Sequence, residues 1–173
     1  MNLVTKRTAL TAIATSLLGL GACSTINPAS PAGRTFNLVA ADGSARGTVT
    51  LNDARDGSTL HVRVSGLSAG DHGLHLHEKG LCEGPAFASA GGHWNPSGRK
   101  HGRDNPVGAH LGDLPNLRVD AATTGTASFT IAPGFADADG TALVIHAKND
   151  DYRTDPSGNS GDRIACAVIA PPR

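Results

Sequence analysis

From Arg34 onward, apolar and polar residues alternate in short runs. Val49 and Leu51 alternate with Thr48 and Thr50, and Leu60, Val62 and Val64 with His61, Arg63 and Ser65. A period of two puts one set of side chains on one face of an extended chain, so these runs predict half-buried β-strands. Ala41-Asp-Gly43 and Asp56-Gly57 fall between such runs, where hairpin turns belong. Thr124 to Ile131, Ala142 to His146 and Ile164 to Ile169 supply further strands, and no amphipathic helix longer than two turns is evident. Roughly eight strands, interrupted by glycine-rich excursions from Gly80 to Leu117 and from Ala147 to Asp162, predict an all-β sandwich or barrel. Long irregular segments inside a compact domain are mostly functional or disordered, and these two carry the unusual residues.

The first 22 residues follow a different pattern. Lys6 and Arg7 precede a mostly apolar, uncharged run from Ala9 to Leu20. That run is too short for a membrane span of roughly 20 residues and reads as an export signal. It ends in Leu20-Gly-Ala-Cys23, which resembles the bacterial lipobox, where a small residue precedes a cysteine that takes lipid after cleavage. The resemblance implies a signal peptide over 1–22 and lipidation of Cys23. The alternative is an ordinary signal peptide cut near Ala22. Ser24, where an aspartate would favour the inner membrane, points to the outer membrane. Residues 23–33 read as a Pro- and Ser-rich tether, and 34–173 as one domain. The expected location is the bacterial periplasm, with the membrane met only through the lipid.

Charge narrows the choice of partners. The chain holds 15 Lys and Arg against 15 Asp and Glu. Once Lys6 and Arg7 leave with the signal, acids exceed bases by two, which gives no support to nucleic-acid binding. There are three cysteines. With Cys23 lipidated, Cys82 and Cys166 remain as an even pair that an oxidising compartment could join, two buried thiols being the alternative.

The histidines carry the chemistry. His75 and His77 lie two apart in a strand-like run, so both imidazoles point to one face and can converge on one ion. His93, His101, His110 and Asp113 follow at spacings of eight, nine and three, and His146 ends an apolar run. Neutral imidazole suits copper and zinc, and a carboxylate can complete a tetrahedral zinc site. His61, on the polar face of its strand, reads as solvated.

Five ordered blocks resemble the copper–zinc superoxide dismutase family. Gly70-Asp-His-Gly-Leu-His-Leu-His77 is similar to its first copper signature. Ser89-Ala-Gly-Gly-His-Trp-Asn-Pro96, Arg99-Lys-His-Gly102 and His110-Leu-Gly-Asp-Leu-Pro-Asn116 are similar to its zinc loop. Gly158-Asn-Ser-Gly-Asp-Arg-Ile-Ala-Cys166 is similar to its C-terminal signature. The resemblance runs from about Thr35 to Ile169. It implies an eight-stranded antiparallel Greek-key β-barrel or sandwich, immunoglobulin-like, with two long functional loops. It implies one copper per subunit on His75, His77, His93 and His146, and one zinc on His93, His101, His110 and Asp113, with His93 bridging. Asp150 would link a copper histidine to a zinc histidine, Asp151 being the alternative one residue on. His72 would be structural, Cys82 and Cys166 a disulfide, and Arg163 the arginine that receives superoxide beside copper. Arg163 and His93 are then the catalytic residues, and Trp94 is packing or an interface contact.

In its animal members the family places a lysine and glutamates before that arginine, whereas Pro156 stands at the lysine position here. Lys79 is the preferred substitute for steering the anion, with Arg99, Lys100 and Lys148 as other sources of positive field. The insertion Cys82-Glu-Gly-Pro-Ala-Phe87 resembles the bacterial branch, whose members occur as monomers and as homodimers. The runner-up reading is a non-catalytic relative that carries copper or zinc in the envelope. An adhesive sandwich would leave the ligand series unexplained.

Overall fold

A computed structural model describes residues 33–54 and 56–173. The expected signal peptide, Cys23 and the tether up to residue 32 lie outside the described residues. Nine strands form among the described residues: β1 (Arg34–Val39), β2 (Ala45–Ala54), β3 (Gly57–Ser65), β4 (Gly70–His72), β5 (Leu74–His77), β6 (Leu117–Val119), β7 (Thr124–Ile131), β8 (Thr141–His146) and β9 (Arg163–Ala170). A 3₁₀ turn at Ala88–Ala90 is their only helical element.

Seven strands make one antiparallel sheet in the order β5-β8-β9-β1-β2-β3-β7, and β4 pairs with β6. The adjacency of β3 to β7 and of β1 to β9 joins segments far apart in sequence, as Greek-key connections do. Asp120 to Thr124 turns β6 into β7, with Asp120 N–H bonded to the Thr124 carbonyl at 2.8 Å, so the small pair continues the curl of the large sheet. The fold is therefore the expected all-β, curled antiparallel one. Nine strands stand where roughly eight were expected, two of them, β4 and β6, being only three residues long, and Gly73 separates β4 from β5. A Cβ at Gly73 would come within 2.7 Å of the Ser160 side chain, so a loop packs against the chain where the strand breaks.

Alternation sorts the side chains as a half-buried sheet requires. Leu38, Val49, Leu51, Leu60, Val62, Leu143, Ile145 and Ile169 fill the interior. In β5, Leu74 and Leu76 join that core, so His75 and His77 take the opposite, outward face. Every residue of β8 is buried, because the first long loop covers its outer face. There Phe87 and Ala90 of the loop pack on Ala142, Val144 and Cys166. Trp94 is 4% exposed and belongs to the core, which settles it as packing.

Cys82 and Cys166 form a disulfide across a sequence separation of 84 residues. Closing so long a loop restricts the unfolded chain and stabilises the fold by about 4–5 kcal/mol on the chain-entropy account. A Cys82→Ser, Cys166→Ser double variant, compared with the parent by urea unfolding without metal, is therefore expected to lose stability on that scale. An unchanged unfolding midpoint would assign the anchoring of the loop to its other contacts.

Candidate metal centre

The outward face of β5 and β8 is where the histidines meet. His75 pairs in register with Val144 and His77 with Ala142, and His146 closes β8. The first long loop brings His93 against His77 through an isolated bridge, and Asp113 against His75 through another. One nitrogen from each of His75, His77, His93 and His146 lies within 4.8 Å of the others, all four residues being buried. Donor atoms of His75, His93, His101 and Asp113 form a second group within the same limit.

His110 completes that second cluster without belonging to the tightest group. Its Nδ1 lies 3.2 Å from Asp113 Oδ1, the oxygen that also meets His93 Nδ1 at 3.0 Å and His101 Nδ1 at 3.1 Å. Three imidazoles thus converge on one carboxylate oxygen. His75 enters the tight group because its ring stacks on His93, with centroids 3.8 Å apart.

The other ring nitrogens are held by fixed acceptors. His77 Nδ1–H donates to the Gly91 carbonyl at 3.0 Å, and His146 Nδ1–H to the Gly161 carbonyl at 2.9 Å. Asp150 takes His75 Nε2 on one oxygen at 2.8 Å and His101 Nε2 on the other at 3.0 Å. Gly158, at φ +64°, packs against that carboxylate, and any side chain there would collide with Asp150 and His101. Asp151 instead caps its own loop, bonding Thr154 and Asn159. His72 Nδ1 lies 2.7 Å from the His146 carbonyl and its Nε2 2.9 Å from that of Ser68, so it ties backbone together behind the cluster. His61 stays outside the cluster, half-buried, with its Nδ1 2.7 Å from Ser128 Oγ rather than simply solvated.

Five buried ring nitrogens have no hydrogen-bond partner among the described residues: Nδ1 of His75 and His110, and Nε2 of His77, His93 and His146. Buried polar atoms are nearly always satisfied, so a concentration of orphans at one place fits a cation accepting their lone pairs. Burial also keeps several of these rings neutral, as metal ligation requires. It pulls His75 down to about 3 and His146 to about 4, despite the Asp150 and Gly161 acceptors, and pushes His77 well below its ordinary value. His101 behaves oppositely. Burial opposes its charge, but hydrogen bonds to Asp113 and Asp150 outweigh that and raise it to about 9. Asp113 and Asp150 are in turn held far below the usual carboxylate range, against the pull of burial, by hydrogen bonds from His101 and from His93 or His75.

An open cleft leads to the cluster, bordered by Glu78, His93, Asn95, His146, Gly161 and Arg163. The Arg163 guanidinium donates to the Phe87 and Gly91 carbonyls, both at 2.7 Å. The Glu78 carboxylate accepts Gly92 N–H at 3.0 Å. Lys79 is exposed and does not border this cleft. Lys100 is paired with Asp155 at 2.9 Å, and Arg99 donates to the Gly108 carbonyl. The Lys148 stem runs beside Gly161 at the cleft wall. Sequence reasoning missed Glu78 and the main-chain acceptors at Phe87, Gly91 and Gly161. Carbonyl groups leave no signature in side-chain identity.

Fold and donor set together define a β-barrel metalloprotein with two adjoining clusters suited to cations. A profile of the family described as copper/zinc superoxide dismutase (SODC) matches residues 45–169, and the chain belongs to that family. It is 41% identical over 143 residues to the copper–zinc superoxide dismutase of Caulobacter vibrioides, covering 75% of this chain and 81% of the relative. A double mutant of a superoxide dismutase-like protein from Bacillus subtilis, with histidine replacing one tyrosine and one proline, superposes with a TM-score of 0.75. That match is 42% identical and covers 80% of this chain and 98% of the other. The Cu/Zn superoxide dismutase of Brucella abortus gives 0.63 at 32% identity, covering 79% and 99%.

The ring environments predict how the metal-free protein responds to pH. His75, His77 and His146 titrate lower folded than the ordinary 6.5, so the unfolded chain takes protons first and stability is lost as pH falls from about 6.5 toward 4. His101 titrates higher folded, so its contribution is complete below 6.5 and is lost as pH rises through about 9. Melting temperatures of chelator-stripped protein across pH 4–10 should fall on both flanks. A flat acid flank would contradict the neutral, buried state of the three rings.

Proposed function

We propose that the chain is a superoxide dismutase of the bacterial cell envelope, holding copper on His75, His77, His93 and His146 and zinc on His93, His101, His110 and Asp113. The observation that carries this is the set of five partnerless ring nitrogens, every one on a histidine of those two groups. His93 presents Nδ1 toward Asp113 and leaves Nε2 free toward the copper-type group, which supports the reading of a bridging imidazole.

Copper, when bound, supplies one-electron redox chemistry, so one superoxide is oxidised to oxygen and the next is reduced to peroxide. The chain's residues do the remainder. Arg163 holds the anion at the inner end of the cleft, its guanidinium fixed by two carbonyls and always charged. His93 Nε2 would be the site that holds a proton for the forming peroxide, with the ring kept in place from its Nδ1 side, where Asp113 Oδ1 lies at 3.0 Å. Asp150 orients His75 and His101, as outer partners of metal-bound imidazoles do.

The Leu20-Gly-Ala-Cys23 sequence supports export and lipid attachment at Cys23, which would hold the enzyme at the periplasmic face of the outer membrane. There it would protect the envelope from superoxide. Mass spectrometry of the mature N-terminus should find Cys23 as the first residue, carrying diacylglyceryl and acyl groups. An unmodified residue would end the anchor reading.

The deciding assay is superoxide dismutation by the mature domain loaded with copper and zinc, beside His146→Ala and Arg163→Ala. Loss of a metal-oriented partner alone costs about 10–100-fold, so removing the ligand is expected to cost at least about 100-fold. Arg163→Ala should keep its metals and lose about 10-fold in kcat/KM at low salt, with a flatter dependence on ionic strength. Stoichiometric binding of both metals without dismutation by the parent would favour the metal-carrier reading instead.

A further inference from the structure

The two long loops contribute unequal shares of the centre. The first supplies His93, His101, His110 and Asp113, and the second supplies Asp150. Asp150 reaches His75 on β5 and His101 on the first loop with separate oxygens. Its placement therefore fixes how the two clusters stand relative to each other. What fixes Asp150 is a contact outside the ligand set.

We propose that Asn116 is a positioning residue for the centre, its carboxamide acting as a two-point clasp on the main chain of Asp150. The Asn116 Nδ2–H donates to the Asp150 carbonyl at 2.9 Å, and the Asp150 N–H donates to Asn116 Oδ1 at 2.8 Å. A primary amide has a donor and an acceptor side by side, so it can imitate one rung of a β-ladder. Aspartate offers acceptors alone, and leucine, its nearest apolar match in size, offers neither. The clasp is itself locked: Asn116 N–H donates to the Tyr152 hydroxyl at 2.8 Å, while Tyr152 N–H donates to Asp150 Oδ1 at 2.7 Å. Asn116 and Tyr152 thus hold Asp150 from its backbone and from its carboxylate.

Asn116 ends the segment that carries His110 and Asp113 and stands directly before β6. The clasp therefore registers the second loop against the end of the first, close to the residues that would hold zinc. Without it, the Asp150 carboxylate would still meet both imidazoles, but from a main chain free to shift. Misplacement of a partner of this kind costs metal affinity rather than the fold, because the apolar core lies on the other face of β5 and β8.

This inference rests on the reading of Asp150 as the residue that orients His75 and His101, and a double-mutant cycle separates the two. Zinc affinity would be measured on metal-free protein by competition with a chromophoric chelator, and the copper site by its visible absorption, for Asn116→Ala, Asp150→Ala and the pair. Asn116→Ala is expected to weaken zinc about 10-fold and shift the copper band. In the Asp150→Ala background it should have no further effect, since Asn116 acts through that residue. Additive losses, or an Asn116→Ala protein whose zinc affinity and spectrum match the parent's, would overturn the clasp. An Asp150→Ala protein of parental affinity would overturn the underlying reading of Asp150 instead. Should Asn116→Ala not fold, Tyr152→Phe removes only the hydroxyl behind the clasp. It is expected to weaken zinc by about 3-fold with melting temperature little changed, and parental affinity would again overturn the proposal.

Discussion

The arrangement of this protein depends on one carboxylate that accepts two imidazoles. Asp150 is 1% exposed, and its two oxygens meet His75 from the β5 strand and His101 from the first long loop. A buried carboxylate is costly unless nearly all its lone pairs are used. Two ring nitrogens and the Tyr152 amide use them here. The same contacts leave the opposite nitrogens of His75 and His101 facing their clusters, so one acceptor sets the orientation of both rings. Asp113 stands inside the second cluster instead, where the Nδ1 atoms of three histidines lie 3.0, 3.1 and 3.2 Å from one of its oxygens.

Main-chain acceptors extend this control to the cleft. The Gly91 carbonyl receives both His77 Nδ1–H and the Arg163 guanidinium, so one peptide group relates a ring of the first cluster to the cation at the entrance. Phe87, at φ +53° and almost fully buried, holds the second carbonyl that Arg163 uses. The disulfide fastens this same loop to β9, three residues beyond Arg163. Covalent, apolar and polar contacts therefore converge on a short stretch of irregular chain, which has no regular secondary structure beyond a 3₁₀ turn to stiffen it.

The strands were legible where alternation had room to repeat. Alternation gives Thr124–Ile131 its observed bounds and places β8 and β9 within a residue at each end. The three-residue strands β4 and β6 escaped because so short a run completes barely one period. Six of the histidines are legible as a set through their motif spacing, and the structure gathers His75, His77, His93, His101, His110 and His146 into adjoining clusters, leaving His61 and His72 outside them. Which of Asp150 and Asp151 faces the rings was open in the sequence, since neighbouring aspartates differ only in the backbone that carries them. The structure gives the rings to Asp150 and the loop cap to Asp151, whose hydrogen bonds to Thr154 hold it at about 2. The carbonyls of Phe87, Gly91 and Gly161 were beyond reach, since every residue has one and only the fold decides its aim.

The alternation in β5 has a consequence for how such a chain can change over time. Leu74 and Leu76 belong to the interior, while His75 and His77 belong to the loops outside it. Two requirements are thus written in interleaved registers of a single four-residue strand. A substitution in one register leaves the other's partners untouched, so the barrel can persist as a heritable framework while the chemistry on its outer wall is lost, regained or exchanged.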